Sequence, residues 1–218
     1  MSRDLEVLQM LCPTSKWYRK CGHEMTPIGI TIHNTANDAS AKNEISYMLS
    51  NNNYCSFHYA VDDKRAVQGI LTDRNGWHAG DGAKGTGNRK TIAIEICYSK
   101  SGGGRYLSAE DNTAYLVSEL MKYNNFTINQ VYKHQKWSGK YCPHRILDNN
   151  GWDKFLARVM YYYNYIDEVV PIQNEFEELY NKEVKKNIAL TLTNDNLVSV
   201  NEDIIEDMIA IQEIVKKY

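Results

Sequence analysis

Nothing in this 218-residue chain approaches the run of eighteen or so apolar residues that crosses a membrane, so no membrane insertion is expected. The opening stretch MSRDLEVLQMLCPTSKWYRK has charges on both sides of a short apolar segment and lacks the hydrophobic core of a signal peptide. Export by the general pathway is therefore not expected. With only 4 Pro and 13 Gly, and no repeat or low-complexity segment, the chain is neither collagen-like nor wholly disordered. The cysteines number 5, an odd count, in a chain long enough to build a core without disulfide staples. Cys12, Cys21, Cys55 and Cys97 read as small core residues or buried free thiols.

Excess charge is also scarce, since the formal net charge is −2. That balance hides an asymmetry: residues 165–218 hold twelve acidic and five basic groups (−7), leaving fifteen acids against twenty bases (+5) in residues 1–164. A basic body is thus followed by an acidic tail, and we take 1–164 and 165–218 as separate regions.

The body alternates strands and helices. Ile28–His33 (IGITIH) alternates as a strand does, with Ile28, Ile30 and Ile32 on one face and Thr31 and His33 on the other. Ser40 is placed to cap a helix carrying Ile45, Met48 and Leu49. CSFHYAVDDKRAVQGI reads as a hairpin turning at Asp62-Asp63-Lys64, and TDRNGWHAGDGAKGTGNRK as a long ordered loop of the kind that carries function. TIAIEICYS is a second alternating strand, with Ala93, Glu95 and Cys97 opposite its isoleucines. Residues 108–124 predict a helix capped by Ser108, with acids in its first turn, and residues 152–166 predict another. This alternation points to an α/β domain with a sheet covered by helices. In the tail, apolar stripes over 169–186 and 203–217 suggest helices, with a short hairpin turning at Asn194-Asp195-Asn196 between them.

One constellation offers chemistry. In HQKWSGKYCPH, His134 and Cys142 lie eight residues apart, with Lys140 two before the cysteine and Pro143 after it. By spacing alone the pair is a weak metal signal, and each residue could equally be structural. His33 strengthens it, because it ends a strand on the side opposite the isoleucines. Three donors with a fourth position open is the pattern of a catalytic zinc rather than a structural one. Glu95, taken alone, reads as a buried carboxylate paired with a base.

ITIHNTA, SFHYAVDD, GWHAGDG, TIAIEI and HQKWSGKYCPH occur here in the order found in zinc-dependent type 2 N-acetylmuramoyl-L-alanine amidases, which this chain resembles. That family includes phage endolysins and is related to peptidoglycan recognition proteins; the resemblance covers about residues 25–160 and stops before the tail. It implies a mixed central β-sheet flanked by helices, with Zn2+ in a surface groove, to which the apolar stripes of the tail add a small, mainly helical C-terminal appendage. It implies His33, His134 and Cys142 as metal ligands, Glu95 as general base and Lys140 as the cation that steadies the transition state. His78 either lines the groove or is a loop histidine bonded to backbone; Trp77 and Trp137 either wall the substrate site or belong to the core. His58 reads as a packed group and His144 as merely adjacent. Phe57 stands where some relatives carry a catalytic tyrosine, which places more weight on Glu95.

The function so implied is hydrolysis of the bond between N-acetylmuramic acid and L-alanine in bacterial peptidoglycan by an endolysin. Such an enzyme would be made in a bacterial cytoplasm and act on the wall after release. A cytoplasmic muropeptide-recycling amidase is disfavoured by Cys142, where that branch tends to use Asp. A non-catalytic recognition module is disfavoured because the cysteine is retained. Peptidoglycan is the expected partner and nucleic acid is not, while the tail could bind wall, form a homo-oligomer by multivalent contact, or be a stabilising appendage docked on the body.

Overall fold

The computed structural model describes residues 5–148 and 150–165. The helices and hairpin expected in the tail lie outside the described residues. In chain order the elements are β1 (Glu6–Gln9), α1 (Trp17–Lys20), β2 (Gly29–Asn34), α2 (Ala41–Ser50), β3 (Tyr59–Val61), β4 (Arg65–Gln68) and α3 (Thr86–Lys90). Then follow β5 (Thr91–Ile96), α4 (Gly103–Asn124), β6 (Val131–Lys133), α5 (Gln135–Ser138), α6 (His144–Asp148) and α7 (Trp152–Tyr165).

The strands form one mixed sheet in the order β1-β4-β3-β5-β2-β6. β3, β5, β2 and β6 run parallel, whereas β4 is antiparallel to β3 and carries β1 alongside it. The expected hairpin is the β3–β4 pair, turning through Asp62, whose carboxylate accepts the N–H groups of Lys64 and Arg65. β2 is buried along its whole length, as expected of a central strand covered on both faces. Ile30, Ile32, Ile92, Ile94 and Ile96 are fully buried, as the alternation predicts, but Ile28 precedes β2 and is exposed, which corrects its place on that face.

Helices cover this sheet. The hydroxyl of Ser40 accepts the N–H of Asn43 and starts α2, whose Ile45 and Met48 are buried. α4 begins five residues before the expected cap, at Gly103, so Ser108 lies inside the helix and its first turn contains no acid. The reason is packing: Tyr106, ahead of Ser108, is buried with Ala109 and Thr113, and this burial outweighs the helix-breaking tendency of Gly103 and Gly104. The long loop holds one further turn of helix, α3, which Asp81 starts by accepting the N–H groups of Gly87 and Asn88. Strands β1 and β6 are additions to the sequence reading. At four and three residues they are too short to show periodicity, and tertiary pairing creates them.

All five cysteines are free. Cys12, Cys21 and Cys97 are buried as expected, but Cys55 is exposed, which corrects its reading as a core thiol. Among the described residues no helix is long and apolar enough to cross a membrane.

α7 is held by Phe155 and Val159, both fully buried. Phe155→Ala should therefore cost about 3–5 kcal/mol of stability, read as a lowered urea midpoint at unchanged slope. A cost below about 1 kcal/mol would detach this helix from the core.

Candidate metal centre

The carboxyl ends of β2, β5 and β6 meet, the place where parallel sheets present ligand sites. His33 is the penultimate residue of β2 and stands in register with Glu95 on β5, so both side chains project from the same face. The last residue of β2, Asn34, donates its backbone N–H to Cys142 Sγ at 3.4 Å. β6 delivers His134, whose N–H bonds the carbonyl of Ile32. Cys142 returns to this point because α5 makes a single turn, Gly139 ends it at φ 75°, and the N–H of Gln135 bonds the Cys142 carbonyl. The eight-residue spacing thus closes a small loop. As a result, ligand atoms of His33, His134 and Cys142 lie within 4.8 Å of one another, all buried.

Hydrogen bonds decide which lone pairs face inward. His134 Nε2 lies 3.1 Å from the carbonyl oxygen of Ala79. A carbonyl only accepts, so Nε2 carries the proton and Nδ1 keeps its lone pair. That Nδ1 is buried and has no partner. His33 Nε2 is engaged at 3.0 Å with His78 Nδ1, which leaves His33 Nδ1 toward the cluster, 3.9 Å from Glu95 Oε1. Glu95 Oε2 is likewise buried without a partner. Two imidazole nitrogens and a thiol gathered in a buried place, with His134 Nδ1 and the neighbouring Glu95 Oε2 unpartnered, fit a divalent cation of intermediate softness.

The electrostatics agree. Burial, then His78, His134 and Lys140, hold His33 well below the ordinary histidine range. Burial and then Lys140 lower His134. Burial pushes the Cys142 thiol up to about 12 and, with Glu44, the Glu95 carboxyl up to about 8. Both acids thus favour their neutral forms until a positive charge arrives, and a bound cation inverts that preference. Lys140 is exposed, yet its charge acts on His33, His134, Glu95 and Cys142 alike.

The other expected site residues are placed as follows. His78 is buried against His33, its ring edge-on with centroids 5.0 Å apart. Trp137 is exposed in part, and its indole N–H donates to Thr31 Oγ1 at 2.9 Å. Thr91 Oγ1 donates to the Gly87 carbonyl and so accepts from Thr31, which makes a three-step polar layer beneath the cluster. Trp77 sits edge-on to His23 at 6.0 Å and pairs through its backbone with Ser56. His58 is packed, accepting the Ala93 N–H at Nδ1 and donating from Nε2 to the Arg74 carbonyl. His144 lies 3.3 Å from the Ser99 carbonyl. Thr91, Asp81 and Asn88 escaped the sequence reading, because isolated polar residues in strands and glycine-rich loops have no distinguishing spacing.

Fold and centre together define an α/β domain whose parallel strand ends present a three-donor group able to hold a metal ion. The chain matches the family model described as N-acetylmuramoyl-L-alanine amidase over residues 23–145, and it belongs to that family. It is similar to the N-acetylmuramoyl-L-alanine amidase CwlA of Bacillus subtilis (strain 168), with 57% identity over 148 residues, 68% of this chain and 54% of that one. It therefore spans about half the length of the curated relatives it matches. The solution structure of the PlyG catalytic domain is similar at 53% identity and a TM-score of 0.71, covering 73% of this chain and 96% of that one. A mutant endolysin from Bacillus subtilis is similar at 39% identity and a TM-score of 0.65, covering 72% of this chain and 99% of that one.

Burial holds His58 down to about 4, against about 6.5 in an unfolded chain. Its neutral, doubly bonded form therefore contributes stability that is complete above about pH 6.5 and is lost as pH falls toward 4, about 3 kcal/mol in all. His58→Gln should remove about one proton from the uptake on unfolding between those values, seen as a flatter plot of urea stability against pH. An unchanged slope would show that His58 already binds a proton in the folded state.

Proposed function

We propose that this chain is a zinc amidase that hydrolyses the amide between N-acetylmuramic acid and L-alanine in bacterial peptidoglycan, acting as an endolysin. The observation that carries the reading is the convergence of His33, His134 and Cys142 within 4.8 Å, with Glu95 beside His33. Family membership over residues 23–145 and the likeness to an endolysin support it.

In this reading His33 Nδ1, His134 Nδ1 and Cys142 Sγ hold the ion. Bound zinc supplies Lewis acidity, acidifying water and polarising the scissile carbonyl. Glu95 takes the proton from the attacking water and passes it to the amine nitrogen as the carbon–nitrogen bond breaks. Its unpartnered Oε2 is the oxygen free to do so. Lys140 places a positive charge near the developing oxyanion. The Ala79 carbonyl keeps His134 in the tautomer whose Nδ1 lone pair is open, and His78 Nδ1 occupies His33 Nε2 and so turns His33 Nδ1 toward the ion. Residues 1–164 form the catalytic unit and residues 165–218 a separate acidic region that acts by binding, to wall or to another copy. The +5 balance of the catalytic unit suits approach to an anionic wall.

Digestion of purified cell walls followed by mass spectrometry should show muramic acid freed from L-alanine; products cut only within the peptide or the glycan would overturn the assignment. Cys142→Ser should abolish both zinc binding and lysis, and a metal-free variant of full activity would refute the metal assignment. Glu95→Gln should retain zinc yet slow hydrolysis about 10²–10⁴-fold. Near-normal turnover would move the base elsewhere.

A further inference from the structure

We infer that Asn88, remote from the reacting atoms, is the positioning residue that holds both histidine donors in their metal-ready orientation. The inference rests on the metal centre proposed above and extends it to the loop behind the histidines.

Asn88 is 5% exposed, and both its side-chain oxygen and nitrogen are hydrogen-bonded. Oδ1 accepts two consecutive backbone N–H groups, those of His78 and Ala79, each at 2.8 Å. Nδ2 donates to the Gly82 carbonyl at 3.0 Å. One oxygen thereby fixes two adjacent residues, and each of these orients a different donor. His78 Nδ1 engages His33 at 3.0 Å, and the Ala79 carbonyl engages His134 at 3.1 Å. Asn88 is itself fixed, because Asp81 Oδ1 accepts its N–H at 3.2 Å and Asp81 Oδ2 accepts that of Gly87 at 2.6 Å.

The arrangement has no slack. A Cβ on Gly87 would come within 2.5 Å of Ala79 Cβ and 2.8 Å of the Trp137 ring, so α3 sits directly against the residue whose carbonyl sets His134. Loss of the Asn88 oxygen leaves two buried N–H groups unpaired at the base of both histidine contacts. Both donors then loosen together, although the three donor side chains, Glu95 and Lys140 are untouched. Groups that orient metal ligands in this way govern affinity by about 10- to 100-fold.

The test measures zinc affinity by competition with a chromophoric chelator, together with the absorption spectrum of the cobalt(II)-substituted full chain. Asn88→Ala should weaken zinc at least about tenfold and shift the cobalt bands. Asn88→Gln retains the chemistry but displaces the oxygen by one methylene; it should do the same, and it carries the test should the alanine variant fail to fold. Phe155→Ala, which destabilises α7 and alters none of the residues that bond the two histidines, should keep the affinity of the unsubstituted protein. Zinc affinity and cobalt spectrum unchanged within about twofold in the Asn88 variants overturn the inference, as does an equal loss in Phe155→Ala. Failure of the unsubstituted protein to bind zinc or cobalt overturns the metal centre, and this inference with it.

Discussion

The parallel register of β2 on β5 sets His33 beside Glu95, and the geometry of the centre depends on that pairing. In a strand, successive side chains point to opposite faces, so a slip of one residue would turn His33 into the isoleucine core and an isoleucine toward the site. The register is held by what lies on each side. Ile30, Ile32, Ile92, Ile94 and Ile96 are fully buried on one face, while Thr31 and Thr91 are hydrogen-bonded on the other, with Thr31 two steps before the histidine. Core packing and site geometry are thus two consequences of one alignment.

The second constraint is that buried polar atoms require partners. His134, with one nitrogen on the Ala79 carbonyl, has only one lone pair to offer inward. His33 has its Nε2 occupied by His78 Nδ1, so Nδ1 is the nitrogen turned toward the cluster. Two unsatisfied atoms, His134 Nδ1 and Glu95 Oε2, remain where the cysteine also arrives. A buried place that gathers open acceptors at one point is selective for positive charge. The loop from His78 to Asn88 therefore matters as much as the strands: the strands place the rings, and the loop sets which nitrogen faces inward.

Much of this was legible in the residue order. Strict alternation in IGITIH and TIAIEI gave both central strands and the sides of His33 and Glu95, because burial on one face imposes a period of two. Other features had no such signature. Helix α4 starts at Gly103 because Tyr106 is buried ahead of the apparent Ser108 cap, so packing overrode a local signal. β6 is three residues long, and its pairing with β2 alone makes it a strand. Trp77 and Trp137 are the same residue type, each close to glycine in the sequence. Yet one ring faces His23 and the other is fastened to Thr31, a difference fixed by contacts far apart in sequence.

By itself, then, the sequence determined the α/β class, the central strands and the family, and singled out His33, His134 and Cys142 as candidate donors, since these follow from periodicity and from residue types at recognisable positions. Tertiary structure alone decided which His134 nitrogen is free, which loop contacts the two rings, and that donors of residues 33, 134 and 142 meet in one buried place with Glu95 beside His33. Those depend on hydrogen bonds and distances between segments separated by tens of residues, and no local pattern records them.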